Sequence, residues 1–393
     1  MKKISSKKKQ YLKKQQVRRK KKEYRKSSSI RAKRLRDNSL LFGLNGTMLR
    51  FHTERTEFRK KFYRSKTYTH ASRTIEITGE FGIEDSDNRD SFLKKASEII
   101  DFENRELIFD ISGCTRMWPS AVTLLCSLEQ WVELSTWNRK IKPKLASTKS
   151  LDDKVNSYLH HCGFDNYVGI KSNEKDGYYN DCEVLKIRRE TNQSNVEERE
   201  DEILDMLKLF TDFDKDQREI FHSVILEIFL NVSEHGVSGF DNGWWVLAQY
   251  HASHGIISVN IADNGIGIKN SLFTGPQQHV ISKIYNFKSK NDGKLIKYAT
   301  TPQVSGALTA VVKEKKNMLS RSRYPLGSKR GNGLDRIKTG CRRLGVELSI
   351  LSHYGYLFYD STGNEVDCGT MNNRVFAGTL YHLNVPAKKE LAQ

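Results

Sequence analysis

Hydrophobic residues between positions 71 and 170 recur at two alternating periods. Some short runs place them at every second position, as in a strand, and others at every third or fourth position, as in an amphipathic helix. Strands are predicted at 73–77, 106–111 and 141–146, and helices at 92–100, 121–134 and 154–163. Short strands that alternate with helices of this length predict an α/β layer domain over residues 71–170.

The chain from residue 201 to residue 387 has a second pattern, with longer helices and paired strands. Helices are predicted at 202–210, 217–235 and 334–344, and strands at 244–250, 256–262 and 375–386. Between the two patterned segments, residues 171–200 are polar and acidic and show little periodicity, which is typical of a linker. The sequence therefore predicts a second α/β domain over residues 201–387.

Basic residues are concentrated at the start of the chain. The formal net charge is +19, and residues 1–36 alone contain eighteen Lys or Arg against the single acid Glu23. A segment this poor in apolar residues cannot bury enough surface to offset its ordering entropy, so we expect residues 1–70 to be largely disordered. A Lys/Arg run releases counterions from polyanions. Nucleic acid is the partner that residues 1–36 favour, with a solvated tail and an anionic membrane surface as the alternatives.

Two further features exclude broad classes of protein. No apolar run approaches the roughly 20 residues that a membrane-spanning helix needs, and the lysine-rich start does not resemble a secretory signal. The six cysteines are scattered without a CxxC pair, which argues against a zinc site and against a disulfide framework. These observations predict a cytoplasmic protein that does not span a membrane.

The helix predicted at 217–235 carries polar residues on one face. Glu227 and Asn231 are four positions apart, so they project from the same side about one turn from each other. The opposite stripe, which includes Phe221 and Val232, is apolar and should face the core. Polar side chains on such a helix are costly unless they line a wet cleft or bind a ligand, although this spacing alone is more typical of a solvated face.

Three glycine-containing segments follow that helix. A predicted strand runs into DNGIG at 263–267, which supplies a fixed acceptor and a backbone that a ligand can approach closely. Gly331 and Gly333 precede a predicted helix, and a glycine-rich loop at a helix N-terminus favours a bound phosphate. The last segment, FAGTL at 376–380, lies in the closing strand.

These segments, in this order, resemble the GHKL ATPase superfamily, which includes gyrase B, Hsp90, histidine kinases and MutL. The resemblance covers residues 200–387 and implies an α/β sandwich of the Bergerat type that binds ATP and Mg²⁺. It implies that Asn231 coordinates the magnesium ion, that Asp263 accepts the adenine amino group and that Glu227 is the general base. The family's other nucleotide-contacting positions fall at Gly265, Gly267, Gly331, Gly333 and Thr379.

The turn at residues 106–125 resembles a STAS domain, the fold of anti-sigma-factor antagonists. In that family a polar loop leads into a helix that starts with Asp-Ser-Ser-Gly, and the second serine is phosphorylated. The matching residues here read WPSA, so Ser120 takes the place of the phosphoacceptor while the acidic residue and the glycine are missing. Pro119 and Ser120 are also preferred at any helix start, and an ordinary cap is the favoured interpretation of Ser120.

Three functions follow from these resemblances. The first is an ATP-dependent regulatory switch, in which Glu227 supports slow hydrolysis and the long segment 268–329 closes over the nucleotide as a lid. The second is a serine/threonine protein kinase, because EIFLNVSEHG at 227–236 resembles the anti-sigma-factor kinases, whose substrates are STAS domains. The third is a non-catalytic nucleotide sensor or a scaffold on nucleic acid. A protein partner is expected through the STAS-like domain.

Overall fold

The computed structural model describes residues 69–100, 104–136, 144–168, 183–190, 195–236, 244–265, 267–273, 291–301, 333–376 and 378–388. Spatial contacts divide the chain into Met1–Phe58 and Arg59–Gln393, and every described residue belongs to the second unit. The basic segment 1–36 and most of the lid expected at 268–329 lie outside the described residues. The described part is of the mixed α/β class, as the sequence predicts.

A layer of short parallel strands and helices forms the first part of the fold. Strands β1 (Thr69–Glu76), β3 (Asn104–Asp110) and β5 (Lys144–Ser147) pair in the order β1-β3-β5, and β2 (Gly79–Phe81) pairs with β4 (Cys114–Met117). Its helices are α1 (Arg89–Ile100), α2 (Pro119–Thr136), α3 (Asp153–Cys162) and α4 (Asp165–Val168). Every element predicted from hydrophobic periodicity in this region is present, with its ends shifted by a few residues.

Helix α3 illustrates how single residues set the ends of an element. Before its first residue, the Asp152 carboxylate accepts a hydrogen bond of 2.8 Å from the N–H of Lys154, which is one of the donors that a helix start leaves unpaired. After its last residue, Gly163 has a φ of 80°, a left-handed conformation that favours glycine. The helix therefore ends where the sequence predicts.

A larger antiparallel sheet forms the second part of the fold. Its seven strands, in sheet order, are β11 (Glu365–Thr370), β10 (Gly355–Tyr359), β9 (Glu347–Ser352), β12 (Thr379–Pro386), β8 (Ile256–Asp263), β7 (Trp244–His251) and β6 (Val184–Glu190). The accompanying helices are α5 (Val196–Phe210), α6 (Lys215–Gly236), α7 (Gly267–Phe273), α8 (Asp292–Ala299) and α9 (Gly333–Leu344). Strand β6 lies within the segment expected to be a linker and pairs with β7.

Both faces of the central strands of this large sheet are buried. On one face, which we call the front, Trp244 and Val246 of β7 pack in a cluster with α5, α6 and α9. On the other, the rear, Trp245 and Leu247 pack in a second cluster with α2 and the parallel layer. Strand β7 is buried along nearly its whole length for this reason, and its sequence reads as an almost continuous apolar run.

Two of the sequence-based exclusions can be compared with the described residues. No helix in those ranges combines the length and the apolar character that a bilayer crossing requires. None of the five cysteines in the same ranges forms a disulfide. Burial raises the pKa of the Cys341 thiol to about 12, so that side chain is an inert part of the core.

Gly340 provides a test of how closely α9 packs on α6. A Cβ atom at this position would lie 2.3 Å from Cγ2 of Val224, a stiff β-branched side chain. We expect Gly340→Ala to lower the free energy of unfolding by up to about 2 kcal/mol, because overpacking costs about 1–3 kcal/mol and the gain in helix propensity offsets only about 1 kcal/mol of it. Urea titration of the folded chain measures this change.

The neighbouring Thr339 is exposed and provides the matched control. Thr339→Ala should change the free energy of unfolding by about 0.5 kcal/mol or less. A Gly340→Ala variant as stable as the wild type would show that the two helices are farther apart than described.

Candidate functional site

Helix α6 carries the two polar residues that its sequence singles out, Glu227 and Asn231. Its apolar stripe faces the large sheet, and Ile225 and Ile228 are fully buried in the front cluster. The Glu227 side chain is 20% exposed, which places its carboxylate at the margin of the core. Glu227 and Asn231 are turned toward α9, which packs across α6.

The first turn of α9 contacts this polar face directly. Nη1 of Arg336 donates a hydrogen bond of 2.8 Å to Oε1 of Glu227. A Cβ atom on Gly333 would lie 3.2 Å from Oε2 of Glu227 and 3.6 Å from Oδ1 of Asn231, so glycine lets the backbone approach both side chains. We refer to Glu227, Asn231, Gly333 and Arg336 as the inter-helix cluster.

Tyr381 joins the inter-helix cluster to the large sheet. The pKa of the Tyr381 hydroxyl is raised, mainly by burial and next by the Asp263 carboxylate, and the Asn231 side chain opposes this rise. The amide nitrogen of Asn231 is itself buried and makes no hydrogen bond of normal geometry within the described residues. Tyr381 belongs to the front cluster together with residues of α6 and β8, and it lies two positions from Thr379 on the same face of β12. It therefore connects α6 to the end of β8.

Polar residues lie in register at one edge of the large sheet, where β8 and β9 end and β12 begins. Asp263 of β8 is opposite Thr379 of β12, and Thr379 is opposite Ser352 of β9. Their side chains point to the front, because Asp263 alternates in step with the front residue Ile261. All of them are buried, and Oγ of Ser352 lies 3.2 Å from Oγ1 of Thr379. We refer to Asp263, Thr379 and Ser352 as the polar row.

Glycines let neighbouring segments approach the polar row. Oδ1 of Asp263 accepts the N–H of Gly265 at 2.6 Å, and a Cβ atom on Gly378 would come within 2.2 Å of the Asp263 carbonyl oxygen. A Cβ atom on Gly267, whose φ is +71°, would come within 2.9 Å of the His353 ring. His353 has a φ of 50°, a costly conformation for a residue other than glycine. The backbone is strained where these segments meet, as at many binding sites.

The structure brings together most of the residues that the sequence singles out. Those that meet on the front face are Glu227, Asn231, Asp263, Gly265, Gly267, Gly333 and Thr379. Gly331 lies outside the described residues. Sequence reasoning missed Arg336, Tyr381 and Ser352. The position of Arg336 carried a signal, because a residue three positions after Gly333 shares the first turn of the helix.

Ser120 lies on the rear side, in the first turn of α2, and its side chain is fully buried. Its Oγ donates to Oε2 of Glu84 at 2.5 Å and accepts the N–H of Ile83 at 3.0 Å. Its backbone N–H donates to Oε1 of Glu84 at 2.8 Å. Glu84 therefore supplies an acceptor for the unpaired N–H groups at the helix start. The sequence had favoured the Ser120 side chain for this capping role. A phosphoryl group on Ser120 would have to displace Glu84.

Glu84 also contacts two strands of the large sheet. Oγ of Ser258 donates to Oε1 of Glu84 at 3.4 Å, and Nδ1 of His382 lies 3.8 Å from the same oxygen. The pKa of His382 is lowered, because burial outweighs the opposing effect of the Glu84 carboxylate. We refer to Glu84, Ser120, Ser258 and His382 as the rear link, because they join α2 to β8 and β12.

The chain was compared with known proteins. No protein family matches its sequence, and no curated protein matches it significantly. Its function is therefore inferred from the contacts and the chemistry of the described residues.

The contacts of the rear link lead to a prediction about Ser120. Ser120→Ala removes an acceptor from the Ile83 N–H and a donor from the Glu84 carboxylate, and both groups are buried. We expect the free energy of unfolding to fall by about 1–3 kcal/mol, because the buried Ile83 N–H is left unsatisfied, whereas Glu84 keeps the Ser120 N–H and the Ser258 hydroxyl. Ser120→Asp should be more disruptive, because it places a second carboxylate against Glu84. Chemical denaturation of both variants measures these losses.

The control is Ser223→Ala, which removes an exposed serine hydroxyl from α6. It should leave stability within about 0.5 kcal/mol of the wild type. If Ser120→Asp were as stable as the wild type, Ser120 would be accessible in solution and the rear link would not hold.

Proposed function

We propose that the chain binds ATP with Mg²⁺ on the front of the large sheet and acts as a nucleotide-dependent regulatory switch with slow hydrolysis. The observation that carries this proposal is that the inter-helix cluster and the polar row lie on the same face of the large sheet, with Tyr381 in the cluster that joins them. A sheet with helices on its front, and with these residues in this arrangement, agrees with a GHKL-type sandwich. The parallel layer behind it agrees with a STAS-like domain.

The inter-helix cluster fits a magnesium ion that is bound together with phosphates. No trio of His, Cys, Asp and Glu side chains that could hold a metal occurs within the described residues. Mg²⁺ does not need one, because phosphate and water oxygens supply most of its ligands and one or two protein oxygens complete the set. Oδ1 of Asn231 is such an oxygen, and it lies beside Gly333 at the start of α9. When bound, the ion would offset phosphate charge.

The polar row fits the purine end of the nucleotide. A carboxylate offers about four acceptor sites, so Asp263 can accept an adenine amino group in addition to the N–H of Gly265. Thr379 and Ser352 place hydroxyl groups beside it. Gly265 and Gly378 keep side chains away from this end of the sheet, which leaves backbone atoms for close contact.

Glu227 fits the role of general base. Its carboxylate is only partly exposed and lies one helical turn from Asn231, the proposed metal ligand. In this position it would orient the attacking water and take its proton. Catalysis that depends on one carboxylate is compatible with slow turnover, which suits a switch.

The kinase alternative requires a serine that can reach a nucleotide. Ser120 is buried against Glu84, so phosphorylation of this chain's own Ser120 would require the parallel layer to separate from the large sheet. For this reason we place the regulatory ATPase first. Transfer of labelled phosphate from ATP to protein, abolished by Ser120→Ala, would reverse that order.

The binding site can be tested with Asp263→Asn. Because a hydrogen bond to a charged group contributes about 1.5–3 kcal/mol, we expect ATP affinity to fall by about 10–100-fold. Calorimetric titration with and without Mg²⁺ measures it, and wild-type affinity should depend on the metal. Asp367→Asn alters an exposed carboxylate on β11 and should bind ATP normally. Undiminished affinity in a folded Asp263→Asn variant would mean that the purine binds elsewhere.

Hydrolysis can be tested separately with Glu227→Gln. The amide keeps the shape of the side chain but cannot accept a proton, so we expect phosphate release to fall by about 10²–10⁴-fold while ATP affinity is retained. A coupled phosphate assay and the binding titration together separate the two effects. Wild-type binding without any phosphate release would favour the non-catalytic sensor instead.

A further inference from the structure

We propose that Arg336 is a positioning residue for Glu227, and that it places the carboxylate only when the first turn of α9 is docked on α6. This inference rests on the proposed function, since it assigns a role in the same reaction. Arg336 contacts one oxygen of the carboxylate, through the 2.8 Å hydrogen bond from Nη1 to Oε1. The two oxygens of Glu227 are therefore in different surroundings.

The second oxygen, Oε2, is the one that faces the start of α9. The Cβ position of Gly333 lies 3.2 Å from Oε2 of Glu227 and 3.6 Å from Oδ1 of Asn231. Oε2 of Glu227 and Oδ1 of Asn231, the proposed metal ligand, therefore lie on the same side of the Gly333 backbone. Rotation of the carboxylate away from this orientation would break a charge-assisted hydrogen bond, which is stronger than a neutral one. Arg336 in this way selects the oxygen that faces the site.

The energetics separate this role from a purely structural one. The side chains of Arg336 and Glu227 are 39% and 20% exposed, and ion pairs of this kind add about 0–1 kcal/mol to stability. A misplacement of a reacting group by about 1 Å can reduce a rate by about 10²-fold. Loss of Arg336 should therefore affect turnover far more than it affects folding.

The pair also couples two helices that the reaction needs. Arg336 and Gly333 lie on the same turn of α9, so both reach Glu227 in one docking event. Glu227 and Asn231 belong to α6. The contact between α9 and α6 therefore fixes the base relative to Asn231, the proposed metal ligand.

The experiment compares Arg336→Ala, Arg336→Lys and Glu227→Gln, together with the double variant Arg336→Ala/Glu227→Gln, in the full chain. Steady-state phosphate release gives kcat and KM for ATP, and thermal unfolding gives stability. We expect Arg336→Ala to lower kcat by about 10–100-fold with KM changed by less than about threefold. Arg336→Lys, which keeps a donor and the charge, should recover part of the loss. Arg343→Ala, an exposed arginine of the same helix, is the matched control.

The double variant provides the decisive comparison. If Arg336 acts through Glu227, its removal should have little further effect once Glu227 is an amide, so the two losses should not add. Additive losses, an unchanged kcat, or a raised KM with normal kcat would each overturn the inference, and the last would make Arg336 a nucleotide ligand. Each of these three outcomes would leave the proposed function in place. A wild-type chain that binds ATP without turnover would overturn the proposed hydrolysis as well, and absent binding would overturn the proposed function entirely.

Discussion

The central strands of the large sheet are buried on both faces, and this constraint connects the two halves of the molecule. Side chains alternate along a strand, so each central strand must satisfy two different layers at once. Strand β8 places Asp263 on the front and Ser258 on the rear, and β12 places Thr379 on the front and His382 on the rear. A displacement of either strand therefore cannot be confined to one face. The candidate site and the rear link therefore lie on opposite faces of the same two strands, β8 and β12.

The rear link is a charged group in the interior, and its surroundings explain how it is tolerated. A buried carboxylate is costly unless donors surround it. Glu84 receives two hydrogen bonds from Ser120 and one from Ser258, and it lies at the start of α2, where the helix dipole favours an anion. An anion thus already occupies the position that a phosphoserine would need. Such links add specificity of docking more than stability.

Hydrophobic runs and periodicity predicted the longer elements, and the failures have physical causes. Helix α6 was predicted because it packs one apolar face on the sheet. Helix α2 and strand β7 were predicted from longer apolar runs, although both are buried on more than one side. Strand β10 was missed because GYLFY, enclosed on both sides, has no period that distinguishes it from a helical turn. Strand β6 was missed because its lysine and arginines look like a linker. The glycine motifs are local and could be read directly, whereas Ser352 enters the polar row only through the register of β9 with β12.

The double-faced sheet also limits how a nucleotide could act as a signal. A ligand shifts a conformational equilibrium only by the difference in its affinity for the two states. Contacts made at Asp263 and Thr379 on the front would act on β8 and β12, and the groups that those strands present to the parallel layer are the polar residues of the rear link. Polar contacts have strict distance requirements, while apolar packing tolerates small shifts. The rear link is therefore more sensitive to strand position than the apolar packing around it. Through it, a change at the front would reach α2.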